Sequence, residues 1–76
     1  MQTPMVGNWT VQVKEVRPFL IHGDLYYELH VIRSGDAPDQ IVALKVPQHA
    51  AAGEPRVGQT LELTFLMGQV TGVKPK

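Results

Sequence analysis

The chain has 76 residues, no cysteine, and seven basic side chains balanced by seven acidic ones, for a formal net charge of zero. A domain of this length buries only roughly 60% of the surface its unfolded chain exposes, so one compact core and one domain over residues 1–76 are expected. The composition excludes a disulfide framework and a thiolate metal site. The charge balance excludes the global attraction that marks many nucleic-acid binders, so any polyanion site must be a local patch.

The opening "MQTPMVGNWT" has no basic stretch followed by an apolar one. No apolar run approaches the roughly 20 residues that span a bilayer, and a cytoplasmic protein is expected. Period-2 alternation begins in "WTVQVKEV", where Trp9, Val11 and Val13 alternate with Thr10, Gln12 and Lys14, and predicts a half-buried first strand. "RPFLIHG" reads as a short apolar loop punctuated by Pro18 and Gly23. "DLYYELHVIR" resumes the alternation as a second strand, "SGDAPDQ" is a turn by composition, and "IVALKVP" is a third strand. In "PQHAAAGEPRVG" Pro47 can open a helical turn, the three alanines carry it, and Gly53 with Pro55 stop it. "QTLELTFL" alternates as a fourth strand, Gly68 breaks the run, and "QVTGVKPK" makes a fifth that frays at Pro75.

Five short strands with a helical connector between the third and fourth resemble an OB-fold, the small, partly open Greek-key barrel found in many oligonucleotide binders. The likeness runs from Trp9 to Lys74, and its most recognisable stretch is "RVGQTLELTFLMGQVTGV", with a Val-Gly pair leaving the connector and a Gly-containing hairpin joining the last strands. The expected fold is therefore an all-β, five-stranded Greek-key barrel. An SH3-like barrel is the alternative, although its helical turn usually falls between the fourth and fifth strands.

Burial favours the more apolar of two alternating sets, and a one-residue slip would reverse every side chain. On strand two the core set is Leu25, Tyr27, Leu29 and Val31, which turns Tyr26, Glu28, His30 and Ile32 outward. On strand three Val42, Leu44 and Val46 face inward while Ile41, Ala43 and Lys45 face out. The outer face of strands one to three then carries Lys14, Tyr26, His30 and Lys45 together. In OB-folds this face is the usual platform for a single strand, with aromatic rings stacking on bases and basic side chains holding phosphates. The resemblance thus implies single-stranded DNA or RNA as partner and assigns Lys14, Arg17, Phe19, Tyr26, His30 and Lys45 to the contact, Phe19 from the loop before strand two. Trp9, the only tryptophan, fits either a plug at one end of the core or a further stacking surface.

Other chemistries find less support. His22, Asp24, Glu28 and His30 bracket strand two, but alternation of faces gives no closed metal site. The single serine, Ser34, sits in a turn without an oriented base, so no catalytic residues and no cofactor are expected. The competing reading is a protein-interaction module or homo-oligomer subunit, in which the outward aliphatic side chains Ile32, Ile41 and Leu66 form the partner contact.

Overall fold

The computed structural model describes residues 5–51 and 53–76. It is all-β: strands β1 (Val6–Ile21), β2 (Asp24–Arg33), β3 (Ile41–Pro47), β4 (Thr60–Leu66) and β5 (Gln69–Pro75) form one antiparallel sheet in the order β3-β2-β1-β4-β5. The expected second, third and fifth strands lie where the alternation places them. The first differs, because the segment from Arg17 to Ile21 is not a loop but the second half of a 16-residue strand.

That long strand organises the molecule. Val6–Gln12 pair with β4 and Val11–Ile21 pair with β2, so β1 passes from one side of the sheet to the other. A bulge makes this possible: Val13 faces Val31 and Glu15 faces His30, leaving Lys14 as the extra residue. An extra residue bends its strand and increases the local twist. It also shifts the phase of the alternation, so the core positions of β1 run Val11, Val13 and then Val16, with Gln12, Glu15, Arg17 and Phe19 on the other face.

The β1–β2 connection is a two-residue turn in which His22 and Gly23 both have positive φ, 50° and 85°. The β4–β5 connection repeats it with Met67 and Gly68 at 54° and 79°. Positive φ at both central residues is the geometry that matches the right-handed twist of the flanking strands. Between β3 and β4 the chain leaves one edge of the sheet, makes a single 3₁₀ turn over Gln48–Ala50, and crosses to the far side of β1. The expected alanine-borne helix is thus only that turn; Ala51 is already extended and forms a parallel bridge with Val73 of β5, and Ala52 lies outside the described residues.

One face of the curved sheet closes on a single core. Leu29, Val31, Val46, Leu61, Leu63 and Phe65 are almost wholly removed from water, and Val42, Leu25 and Trp9 pack against them at the margin. Burial of each large aliphatic or aromatic side chain here contributes about 1.5–3 kcal/mol. Among the described residues no buried side-chain polar atom lacks a partner, so the core carries no unpaired polar cost.

Candidate functional site

Cross-strand register sets the opposite face of β1, β2 and β3 into rows. Phe19, Tyr26 and Pro47 form one row; Arg17, Glu28 and Lys45 the next; Glu15, His30 and Ala43 a third; and Gln12, Ile32 and Ile41 a fourth. The first row is the aromatic one. The Phe19 and Tyr26 rings stack with their centroids 5.8 Å apart and their planes 25° from parallel, and both are half-buried. The sequence reading places Phe19 in a loop; it instead stands on β1 directly opposite Tyr26, because the Lys14 bulge shifts the phase that aims it there.

Charge on this face is largely compensated. Arg17 donates from Nε and Nη2 to Glu15 Oε1, both at 2.8 Å. The His30 ring stands between two carboxylates, with Nδ1 3.4 Å from Glu15 Oε2 and Nε2 2.9 Å from Glu28 Oε2. A neutral imidazole donates from one nitrogen only, so the tautomer decides which of these contacts is a hydrogen bond. Arg17 and His30 therefore begin committed to neighbours on the sheet. Lys45 and Lys14 have no ion-pair partner among the described residues.

Tyr26 and Lys45 also share the wall of a groove of about 700 Å³ that runs between β3 and the β4–β5 hairpin. Leu44, Phe65 and Val70 give it an apolar floor, and Lys45, His49, Gln69 and Thr71 supply its polar groups; none of its lining residues is acidic. Clefts of this size, mostly apolar with a few polar groups, are the usual form of small-ligand and nucleotide sites. Lys14 belongs elsewhere. It lines a separate depression of about 410 Å³ with Gln12, Ile32, Arg33 and Asp36. The structure thus joins Phe19, Tyr26 and Lys45 around one site, keeps Arg17 and His30 beside it in ion pairs, and sets Lys14 apart. His49, Gln69 and Thr71 enter the groove from outside strands one to three, and period-2 reading, which assigns faces but not strand neighbours, has no signal for them.

The remaining singled-out residues divide. Trp9 packs edge-on against Phe65, centroids 4.9 Å apart, and the Arg33 guanidinium lies 4.8 Å over its ring. Arg33 is held in turn by Asp36, Nε to Oδ2 at 3.0 Å, so Trp9 closes one end of the core under a fixed lid. Ile32 corrects the expectation of an exposed partner residue: it stands on the outer face by register, opposite Gln12 and Ile41, yet only 9% of it is accessible. Ile41 and Leu66 are exposed as expected, at 54% and 53%. No group of three or more His, Cys, Asp or Glu side chains among the described residues is placed to hold a metal ion, and no helix there is long and apolar enough to cross a membrane. Compared with family models, curated proteins and solved structures, the chain matches none.

Proposed function

We propose that this protein is a single-stranded nucleic-acid-binding module of OB-fold type rather than an enzyme, acting in the cytoplasm. The strand order β3-β2-β1-β4-β5, with the Ala51–Val73 bridge drawing the segment after β3 towards β5, supports reading the sheet as a partly open five-stranded Greek-key barrel. One observation carries the functional reading: the stacked Phe19–Tyr26 pair stands on the outer face beside an acid-free groove whose wall holds the unpaired Lys45.

Each part has a physical task. Aromatic faces accept any base, and each stacked base is worth roughly 1–3 kcal/mol. A cation at the groove wall holds the backbone phosphate between stacked bases and releases its counterions. With zero net charge and Arg17 tied to Glu15, attraction at long range is weak, so affinity is modest and its fall with salt reflects the few phosphates that Lys45 and its neighbours neutralise. Titration of a short fluorescently labelled single strand at low ionic strength, with duplex of the same sequence as competitor, tests the reading. Saturable binding that single strand displaces better than duplex, and that Tyr26→Ala weakens, supports it. No binding at protein concentrations of roughly 100 µM, where even millimolar-to-micromolar contacts register, rejects it.

A further inference from the structure

The charged residues are unevenly placed. Residues 5–13 and 63–73 contain no Asp, Glu, Lys or Arg at all. These are the segments that the sheet brings together, the first half of β1 against β4 and the β4–β5 hairpin. Their tip is aliphatic: Met5 is 66% exposed, Val6 72%, Leu66 53% and Met67 74%. The four are contiguous, since Val6 faces Leu66 in register and the Met5 carbonyl accepts from the Gly68 amide, next to Met67.

Met67 is the least expected of them. Its φ of 54° is the left-handed conformation that Gly, Asn and Asp adopt most readily. A long apolar side chain at that position, three-quarters in water, makes its own turn harder to form and adds nothing to the core.

Among the described residues the backbone beside this tip is open as well. Val6–Trp9 pair with β4 on one side, while pairing with β2 begins only at Val11, and the nearest bond on that side joins the Ser34 amide to the Thr10 carbonyl. Exposed strand edges are usually blunted by lysine, proline or a covering element; Val6–Trp9 contains neither residue. Among the described residues nothing lies within 4 Å of where a Cβ on Gly7 would stand, so another backbone can come close there.

We infer that this charge-free edge is a self-association surface, on which a second copy of the chain pairs its own Val6–Trp9 antiparallel and covers Met5, Val6, Leu66 and Met67. Nucleic acid is a poor occupant because the two segments carry no cation and the nearest one, Arg33 over the Trp9 ring, is held by Asp36, and an anionic lipid surface for the same reason. A neutral strand edge suits itself: its alternating donors and acceptors are matched by the same segment turned through 180°, the arrangement of a two-fold contact. Two copies of zero net charge approach without repulsion. This surface is distinct from the Phe19–Tyr26 row and stands or falls independently of it.

Sedimentation velocity over roughly 10–500 µM, the range in which a small contact of this kind dissociates, is the test. The wild-type protein is expected to move from the monomer mass to twice that mass. Val6→Lys with Leu66→Lys is expected to weaken the association at least tenfold, while Ile41→Lys, on the edge strand β3 and outside the Met5, Val6, Leu66 and Met67 tip, leaves it unchanged. If the double lysine variant does not fold, Met67→Asn, which suits the turn, replaces it and is expected to weaken association several-fold. Amide exchange of the wild type is expected to slow at Val6–Trp9 as concentration rises. A wild-type monomer throughout the range, a dimer indifferent to these substitutions, or exchange at Val6–Trp9 independent of concentration overturns the inference.

Discussion

Phe19 and Tyr26 face each other across the β1–β2 ladder with their rings 5.8 Å apart, and neither is needed to fill the core on the other side of the sheet. Such a pair presents a continuous aromatic surface, and each ring holds the other in the orientation a base would meet. Tyr26→Ala and Phe19→Ala are each expected to weaken single-strand binding about tenfold. Because the rings touch, the double variant should lose less than the sum of the two free-energy changes. Fluorescence titrations of the four proteins measure this directly; additive losses would mean that the rings contact separate bases.

Lys45 tests the electrostatic half of the reading. It stands in register with Glu28 and Arg17, but Arg17 is drawn to Glu15 and Glu28 to His30, which leaves Lys45 the cation at the groove. Lys45→Ala is expected to reduce the magnitude of the slope of log affinity against log salt by about 0.7, the contribution of one phosphate on a single strand. Arg17→Ala should change the slope less, since its charge is already compensated by Glu15. Titrations at several salt concentrations give both slopes.

The faces of β2 and β3 are legible in the sequence because their alternation is unbroken: Tyr27, Leu29 and Val31 against Tyr26, Glu28 and His30, then Leu44 and Val46 against Ala43 and Lys45. The face of β1 is not, although its signal is present. In "VQVKEV" two polar residues follow Val13 before the next valine, the pattern left by a bulge, and only the bulge carries Arg17 and Phe19 onto the outer face. Ile32 fails for another reason. Alternation gives a side chain's direction, not what covers it, and Ile32 points outward into a depression it shares with Lys14 and Pro38. His49 and Thr71 join the groove through strand order, a long-range property that no local window contains.

The core should respond to truncation as one unit. Leu63 is fully buried on β4 opposite Trp9, and Phe65, two residues on, meets the edge of the Trp9 ring. Leu63→Ala is expected to cost about 2–5 kcal/mol and Phe65→Ala about 3–5 kcal/mol. For a domain this small either loss is a large part of the total stability. Urea unfolding followed by Trp9 fluorescence checks both, and a cost below about 1 kcal/mol would mean that the site collapses around the missing atoms.

The two hairpin turns offer a control for each other. His22 at φ 50° and Met67 at φ 54° occupy the same position in turns of the same form, each followed by a glycine. Asn is favoured at that position, so Met67→Asn and His22→Asn should each stabilise the monomer, by about 0.5 kcal/mol, through relief of the left-handed conformation. Gly68→Ala, at φ 79°, should destabilise it by about 1 kcal/mol. The substitutions at 22 and 67 then part company as concentration rises. A dimer that forms only from folded monomers adds stability by mass action, so the wild type and His22→Asn should become harder to unfold at higher protein concentration. Met67→Asn, lacking the exposed side chain at the hairpin tip, should gain little from concentration. Melting curves of the three proteins at low and high concentration decide it: parallel concentration dependence would confine Met67 to its turn, and divergence would tie the strained methionine to the surface it shares with Val6.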